Sequence, residues 1–354
     1  MAGLAAAARA RELGAEPVVI EKGDRPGGSM MLSRGVIWRF RTLEEFRAEC
    51  PGGDLELQRL VIEQLDDALD WLESLGALVT ERESGNPRTV GRRFDTRALT
   101  ESLVRAVGDV RLRTTDVLRA TGPAEPLVLA TGGFQGSREL VDRYVSPAAE
   151  LRLRANPWST GDGMRLGLDT GAALSAGMDE FYGRNMADVD FGAEQFVPLA
   201  QLYGRFARVF NERGEEFFDR EVSWSENDLV QATARQPNAR AWYVLDEPAL
   251  QQRVRDRFVR EIVAGAPTRV EPRELPFEAP PGSVSAVRVA ASITHTIGGL
   301  RIDDRARVLD EAGAPVGGLY AAGADAGGIS TGGYASGLAA ALVLGRVAAE
   351  SAVG

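Results

Sequence analysis

The side chains that most often carry chemistry are scarce in this chain of 354 residues. It contains one cysteine, Cys50, one histidine, His295, and one lysine, Lys22. A single cysteine excludes an internal disulfide, and a single histidine excludes a metal site built from several histidines. Schiff-base chemistry has only one candidate amine. Catalysis must therefore rely on a cofactor, or on tyrosine, serine and carboxylate side chains.

The glycines are concentrated in four clusters, and the first of them surrounds Gly3. Gly3 opens an Ala-rich segment, and Glu21 follows 18 residues later at the end of a short apolar run. In a dinucleotide site, a glycine turn brings the backbone to the pyrophosphate at a helix N-terminus, and an acid about 20 residues further on binds the ribose. A glycine before an Ala-rich helix is also typical of close helix packing, so this cluster alone leaves both interpretations open.

The other three glycine clusters come later in the chain. Gly28 and Ser29, in the sequence PGGS, either wrap a pyrophosphate with backbone N–H groups or form a simple turn. The apolar run LVLA leads into Thr131, and the run GLYAAG ends at Gly323 just before Asp325. Four clusters in this order are far more specific than any one of them.

Regular elements must position these clusters. Apolar periodicity predicts helices over Met1–Leu13, Leu55–Leu75, Thr96–Val107, Asp162–Thr170, Glu247–Ala264 and Ser336–Ala352. Short apolar runs predict strands over Pro17–Glu21, Arg111–Leu118, Leu127–Ala130, Val308–Leu309 and Leu319–Ala322. The proline-rich segment Ala266–Ser283 is predicted to be a linker or surface crossing. Strand–helix alternation at both ends, around a different middle, predicts an α/β nucleotide domain with an inserted domain.

Charge and hydropathy restrict the partners. The chain has 41 Lys+Arg against 51 Asp+Glu, a formal net charge of −10. Nucleic acids and anionic membrane surfaces both need a basic field, so neither is expected as a partner. No uninterrupted apolar run is long enough to span a bilayer. Charged residues interrupt the apolar start of the chain, which argues against a signal peptide and predicts a soluble, cytoplasmic protein.

Together, the glycine clusters resemble the flavoprotein superfamily of fumarate reductases, succinate dehydrogenase flavoprotein subunits and 3-ketosteroid dehydrogenases. The matching segments are MAGLAAAARARELGAEPVVIEKGDRPGGS, VLATGGF, STGDGMRLGLDTGAAL, ITHTIGGLRID, GLYAAGADAGG and GGYASGLAAALVLGRVA. The resemblance implies an α/β fold, a Rossmann-like FAD-binding domain with an inserted α+β cap domain. It places the FAD-binding domain at 1–140 and 284–354 and the cap, or substrate domain, at 141–283.

The resemblance also implies FAD as the cofactor and the residues that hold it. Covalent members of the family usually use a histidine early in the chain, and the one histidine here is His295. FAD is therefore expected to bind non-covalently. An acid directly after Ala-Ala-Gly binds the ribityl chain in the family, whereas here Ala324 holds that place and Asp325 follows. The N-terminus of the last helix would face the flavin. The predicted cofactor-binding residues are Gly3, Glu21, Lys22, Gly28, Ser29, Thr131, Gly132, Asp162, Gly323, Asp325, Gly337 and Leu338.

The substrate residues depart from the fumarate-reductase pattern. His295, in THTIGG, matches a substrate-binding histidine of those enzymes. Tyr334, however, replaces a substrate arginine, and the place of the catalytic arginine falls at Trp224 or Ser225. Planar carboxylates are best recognised by arginine. The resemblance therefore favours the ketosteroid dehydrogenases, in which tyrosines polarise a ketone, and predicts Tyr334 and His295 as catalytic residues.

We therefore expect an FAD-dependent oxidoreductase that acts on a CH–CH bond next to a carbonyl of a small molecule. It would be a dehydrogenase or an enone reductase, and its substrate a mostly apolar, cyclic ketone. One alternative is a carboxylate desaturase or reductase with a relocated arginine, such as Arg184, Arg205 or Arg220. No nicotinamide site is evident, so the electron partner stays open among a quinone, oxygen and another protein.

A second alternative is a truncated flavoprotein remnant that binds FAD weakly or not at all. The first strand that the family places ahead of Met1 is missing, and the natural protein is expected to be longer. The family's β-hairpin near Leu118–Pro126 and its helical stretch near Ala266–Ser283 are also shortened here. The absorbance of bound flavin would separate this alternative from the two enzymes.

Overall fold

The computed structural model describes residues 1–114, 125–145, 150–254 and 257–354. The chain divides into two compact units. The first consists of Met1–Leu140, Ala155–Glu180 and His295–Gly354, and the second of Val141–Arg154 and Phe181–Thr294. Compared with the predicted boundaries at 140/141 and 283/284, residues 155–180 group with the first unit and residues 284–294 with the second.

Helices and strands alternate along most of the chain. The α-helices of the described residues are α1 (Ala2–Glu12), α2 (Leu43–Glu49), α3 (Leu55–Ser74), α4 (Thr96–Val107), α5 (Arg138–Tyr144), α6 (Asp162–Asp169), α7 (Asn227–Ala234), α8 (Glu247–Leu250), α9 (Val259–Ala264) and α10 (Gly337–Val353). The strands are β1 (Val19–Glu21), β2 (Val36–Phe40), β3 (Val79–Glu81), β4 (Thr89–Phe94), β5 (Val110–Leu112), β6 (Leu127–Leu129), β7 (Arg152–Leu153), β8 (Phe181–Ala187), β9 (Arg208–Phe210), β10 (Arg240–Asp246), β11 (Arg253–Val254), β12 (Arg257–Phe258), β13 (Arg269–Val270), β14 (Ser283–Thr296), β15 (Arg307–Leu309) and β16 (Pro315–Ala321). No helix in these ranges is long and apolar enough to cross a bilayer.

Short parallel strand pairs organise the first unit. β6 pairs in parallel with β16, and β1 pairs in parallel with β5. The carboxyl ends of parallel strands meet at one edge, so the glycine turns after β6 and β16 lie side by side. The alanines of α1 are mostly buried, and α1 packs against α10. At Gly345 the two helices approach so closely that a Cβ would lie 2.6 Å from the Ala2 carbonyl oxygen.

A helix and a small antiparallel sheet complete the first unit. α3 begins at Asp54, whose carboxylate accepts the backbone N–H groups of Glu56 and Leu57. Its buried face carries mostly apolar side chains at helical spacing, and this face packs on α2, α10 and β2. β2, β4 and β3 form the sheet, in that order.

The second unit is built on one long strand. β14 pairs with β10 and β13 in antiparallel fashion and with β7 in parallel, and it also pairs with β8. β9 adds to the outer side of β10. The buried core on this sheet includes Tyr203, Leu229, Tyr243, Val287 and Val289. Apolar side chains from several strands and from α7 therefore hold the sheet together.

Most of the predicted elements are confirmed, but the predicted helix Glu247–Ala264 is wrong. The segment is instead α8, the β11–β12 pair and α9. The backbone N–H of Val259 donates to the Gln252 carbonyl, which folds the chain back on itself. The guanidinium groups of Arg253 and Arg260 lie 4.7 and 4.3 Å from the Phe258 ring centroid. Apolar periodicity continues through the segment and therefore cannot reveal this break.

Two other predictions have mixed outcomes. The predicted strand Arg111–Leu118 is confirmed only at its start. β5 ends at Leu112, the described residues Arg113 and Thr114 lie in no strand, and residues 115–118 lie outside the described residues. The shortened hairpin region at Leu118–Pro126 also lies almost wholly outside them. The segment Ala266–Ser283 is not entirely irregular, since it contains β13 and a 3₁₀ turn at Pro272–Glu274.

An arginine cluster around Asp188 gives a test of the second unit. Its nearly buried carboxylate lies 2.8, 2.9 and 3.4 Å from nitrogens of Arg152, Arg240 and Arg288. Burial acts to raise the pKa of Asp188, but the three arginines outweigh it and lower that pKa. Asp188→Ala leaves three cations facing one another, so we expect the free energy of unfolding to fall by about 3 kcal/mol in urea titrations at pH 7.

The fully exposed Asp190 also pairs with Arg152 and provides the matched control. Asp190→Ala should change stability by less than about 0.5 kcal/mol. A carboxylate with a lowered folded-state pKa stabilises the protein above its unfolded-state pKa of about 4, and this contribution disappears as the pH falls through the folded value. Equal effects of the two substitutions would contradict the central role of Asp188.

Candidate active site

The glycine turns meet the start of α1 at the carboxyl edge of β6 and β16. A Cβ on Gly3 would lie 3.3 Å from the Cβ of Ala130, at the end of β6. A Cβ on Gly323, which has φ of +70°, would lie 3.1 Å from the Cβ of Ala2. Side chains at these two glycines would fill the edge. The structure thus brings two of the predicted cofactor residues together around a helix N-terminus.

Hydrogen bonds to Asp325 join the turn after β16 to the turn after β6. Its carboxylate accepts hydrogen bonds from the backbone N–H and the hydroxyl of Thr131 and from the N–H of Gly133, while the Thr131 hydroxyl accepts the N–H of Gly163 at 3.0 Å. The side chain is 1% exposed, and burial raises its pKa although these hydrogen bonds oppose the shift. Its carboxylate therefore already has protein partners, and a direct contact with FAD stays a prediction.

The predicted ribose acid is fixed by its own loop. Glu21 ends β1, and its Oε1 accepts the N–H of Gly23 at 2.7 Å. The next residue, Lys22, donates from Nζ to Thr160 Oγ1 at 2.5 Å and to Asp162 Oδ2 at 2.7 Å. These contacts join the loop after β1 to the start of α6. Asp162, predicted from the family to lie near the flavin, thus lies beside the residue that follows Glu21.

The PGGS turn approaches the same region. Gly27 and Gly28 have φ of +102° and +53°, a conformation that favours glycine. Ser29 Oγ accepts the backbone N–H of Asn156 at 3.2 Å, and a Cβ on Gly28 would lie 3.4 Å from Asn156 Nδ2. The Gly28–Ser29 pair is thereby fastened to the segment that leads to Thr160. Gly132, with φ of +94°, lies at the nearby end of β6.

His295 lies at the N-terminus of α10. Ser336 caps this helix by accepting the N–H of Ala339 at 3.3 Å, and Gly337 and Leu338 are its first two residues. A Cβ on Gly337 would lie 3.1 Å from His295 Cε1, so only glycine lets the ring approach this closely. Burial lowers the pKa of His295 to about 4, which leaves a neutral imidazole at pH 7.

Tyr334 precedes the same helix end, on the segment Gly328–Tyr334. Its ring packs edge-on against Trp38, with centroids 5.7 Å apart. Gln58, which is fully buried, donates from Nε2 to the carbonyl of Ile329 at 2.9 Å. Glu180 Oε2 accepts the N–H of Gly332 at 2.7 Å. Both Tyr334 and His295 thus flank the start of α10.

Gln58 and Glu180 are site residues that sequence reasoning missed. Gln58 also donates to the Cys50 carbonyl at 2.9 Å, so it joins the segment that carries Tyr334 to the turn before α3. Its sequence signal was a polar residue on the apolar face of a predicted helix. Glu180 had no comparable signal, because its role depends on a residue far along the chain.

FAD fits this edge by the chemistry of its donors. The first turn of α1 has backbone N–H groups without partners inside the helix, which suit an anionic pyrophosphate. The partly exposed glycines around it leave room for close approach, and Glu21 follows the first strand as a ribose-binding acid should.

Among the described residues there is no group of three or more side chains that could hold a metal ion.

These features define a flavin-type dinucleotide-binding protein with an additional unit. The chain belongs to the family described as "FAD binding domain", which matches residues 1–120 and 93–338. Together with the relatives described next, this match confirms the predicted superfamily, the α/β fold and FAD as the cofactor, and the chain is an FAD-dependent oxidoreductase.

Individual relatives agree with this family. A probable fumarate reductase of Shewanella frigidimarina is 23% identical over 444 positions, covering 99% of this chain and 73% of that protein. The open conformation of a flavocytochrome c3 fumarate reductase has a TM-score of 0.73 at 22% identity, covering 99% of this chain and 76% of that one. A 3-ketosteroid delta1-dehydrogenase from Sterolibacterium denitrificans, in complex with 1,4-androstadiene-3,17-dione, has a TM-score of 0.72 at 17% identity, covering 99% and 97%.

Removing the Glu21 carboxylate tests the predicted ribose contact. A hydrogen bond to a charged group contributes about 1.5–3 kcal/mol, so Glu21→Ala should weaken FAD binding about 10- to 150-fold. Titration of the flavin-free protein by flavin fluorescence measures the change. The exposed Glu16 provides a control of equal charge, and Glu16→Ala should bind FAD like the wild type. Equal affinity of the two variants would refute the contact.

The lowered pKa of His295 predicts a pH-dependent stability. Between pH of about 6.5 and about 4, His295 gains a proton in the unfolded chain but not in the folded one. Lowering the pH through this range should therefore favour unfolding, and His295→Gln should reduce that dependence. Urea unfolding of both proteins at pH 7 and pH 5 measures it. The prediction fails if both lose the same stability between these two pH values.

Proposed function

We propose that the protein oxidises or reduces a CH–CH bond next to the carbonyl of an apolar, cyclic ketone. The observation that supports this most strongly is the position of Tyr334, directly before the N-terminus of α10 and against the Trp38 ring. A phenol there binds a neutral ketone oxygen, whereas a carboxylate would need a cation. Trp38 and Phe40 pack edge-on with centroids 5.3 Å apart, so the surroundings are aromatic.

The arginines considered for a carboxylate substrate already have protein partners. Arg184 donates to the Ser225 carbonyl, and its guanidinium lies 4.9 Å from the Tyr182 ring centroid. Arg205 donates to the Trp224 carbonyl at 2.7 Å. These engagements favour the ketone over the carboxylate.

The third candidate, Arg220, is exposed, and its guanidinium lies 5.0 Å from the Phe218 ring centroid. An exposed cation on an aromatic ring is hydrated and gives weak, salt-sensitive recognition. Arg220 therefore does not provide the desolvated cation that a carboxylate-binding pocket needs.

The residues of this chain have distinct tasks in the proposed reaction. FAD, when bound, supplies a hydride acceptor or donor. The Tyr334 hydroxyl donates a hydrogen bond to the ketone oxygen, which acidifies the adjacent carbon and stabilises the charge that develops on that oxygen. The neutral imidazole of His295 orients the carbonyl. The positive end of the α10 dipole favours negative charge at the same place.

A carboxylate-directed enzyme is the second candidate, because the Shewanella frigidimarina relative is named as a probable fumarate reductase. In that function one of the three arginines would have to leave its present partners. We expect FAD to be held non-covalently in either enzyme. Acid precipitation should therefore release the flavin into the supernatant.

Removing one hydroxyl tests the proposed chemistry. Tyr334→Phe keeps the ring and its packing on Trp38 but cannot polarise a ketone. If the Tyr334 hydroxyl takes part in the chemistry, kcat should fall by about 10²- to 10⁴-fold. FAD content and Tm should stay at the wild-type values, which separates loss of chemistry from loss of structure. A kcat within about threefold of the wild type would reduce Tyr334 to a packing role.

Cyclic ketones, enones and carboxylates are compared as substrates in parallel. Anaerobic flavin bleaching by saturated cyclic ketones, or enone-dependent oxidation of the reduced enzyme, would support the ketone proposal. Reaction only with fumarate, succinate or related carboxylates would overturn it in favour of the second candidate. Tyr334→Arg provides a further comparison, because a restored cation should improve carboxylate binding if the pocket has the fumarate-reductase shape.

A further inference from the structure

Trp158 is an exposed aromatic residue beside the proposed ribose site. Its side chain is 43% exposed, and it is the one aromatic among the large, exposed apolar side chains of the described ranges. A tryptophan left in water loses the stabilisation that burial would give its large apolar surface. An exposed indole beside a predicted cofactor residue offers a surface on which a flat aromatic ring can stack.

The indole lies close to Glu21. The position that a Cβ on Gly23 would occupy is 2.9 Å from Trp158 Cδ1, 3.2 Å from Trp158 Nε1 and 3.1 Å from Glu21 Oε1. The pyrrole edge of the indole and the carboxylate thus flank the same point. Glycine at position 23 is what lets both approach it.

The loop around Trp158 is held from two sides. Asn156 Oδ1 accepts the N–H of Trp158 at 2.9 Å, and the N–H of Asn156 donates to Ser29 Oγ. The Trp158 carbonyl accepts the N–H of Thr160 at 3.0 Å, and Thr160 Oγ1 is bound by Lys22. The indole is therefore presented by an ordered loop whose anchors are themselves proposed FAD residues.

We propose that the indole of Trp158 stacks on the adenine of FAD and makes the site selective for adenine nucleotides. The inference rests on the proposed ribose contact of Glu21, because the base is attached to the ribose that this acid would bind. The indole lies beside the proposed ribose acid and is exposed, so its π surface is available to the flat adenine ring, which the predicted phosphate and ribityl contacts do not recognise. Stacking of this kind discriminates between FAD and a flavin mononucleotide, since only FAD carries the base.

Ligands that contain different parts of FAD test this proposal. The flavin-free full chain is titrated calorimetrically with FAD, ADP and FMN. Trp158→Ala should weaken FAD and ADP about 5- to 150-fold, as expected for loss of one aromatic–base stack, and leave FMN unchanged. Trp158→Phe keeps an aromatic face and should stay within about threefold of the wild type for all three ligands. ADP should also quench tryptophan fluorescence in the wild type but much less in Trp158→Phe.

Leu168, on α6 of the same unit and 37% exposed, provides the control for loss of an exposed apolar side chain. Leu168→Ala should bind all three ligands like the wild type, and Tm values should show that every variant is folded. Unchanged FAD and ADP affinity in Trp158→Ala would overturn the stacking while leaving the proposed enzyme intact. Equal losses for ADP and FMN would also overturn it. A wild-type chain that binds neither FAD nor ADP would contradict the proposed function itself.

Discussion

The FAD-binding unit depends on one buried carboxylate, that of Asp325. It accepts hydrogen bonds from Thr131 and Gly133, which follow β6, although it belongs to the turn after β16. Through the Thr131 hydroxyl it also reaches the N–H of Gly163 in α6. A buried carboxylate is costly unless such donors surround it, so these turns are held in one arrangement. Replacement by an apolar side chain would leave the backbone N–H groups of Thr131 and Gly133 without this acceptor.

The arrangement of these turns brings glycine clusters that are far apart in the sequence together at one edge. Gly3, in α1, lies against Ala130 at the end of β6, and Gly323, in the turn after β16, lies against Ala2 at the start of α1. Lys22 then joins the loop after β1 to Thr160 and Asp162. A dinucleotide that lies along this edge would meet backbone donors, one acid and one aromatic face, each positioned by a different part of the sequence.

The proposed substrate end of the site lies at the N-terminus of α10. His295 lies against Gly337, and Tyr334 precedes the helix cap, so two polar groups lie at the positive end of one helix dipole. The buried amide of Gln58 holds the segment that carries Tyr334 by hydrogen-bonding Ile329. In the proposed function, the tyrosine at this place would bind a neutral carbonyl, whereas a carboxylate would need a cation.

The sequence by itself determined the class of protein. Glycine before a helix, an acid after the next strand and the later glycine turns are recognisable in the sequence by residue type and spacing, although the close approaches that these glycines allow are to residues far along the chain. α1, α3, α4 and α10 were predictable from apolar periodicity, which is local to each helix. Only the tertiary structure decided the partners of Asp325, the pairing of Lys22 with Asp162, the role of Gln58, the break between α8 and α9, and the position of Trp158 beside Glu21. These depend on contacts between residues far apart in the chain, which no local pattern of residue types encodes, since the chain must fold before such groups can meet.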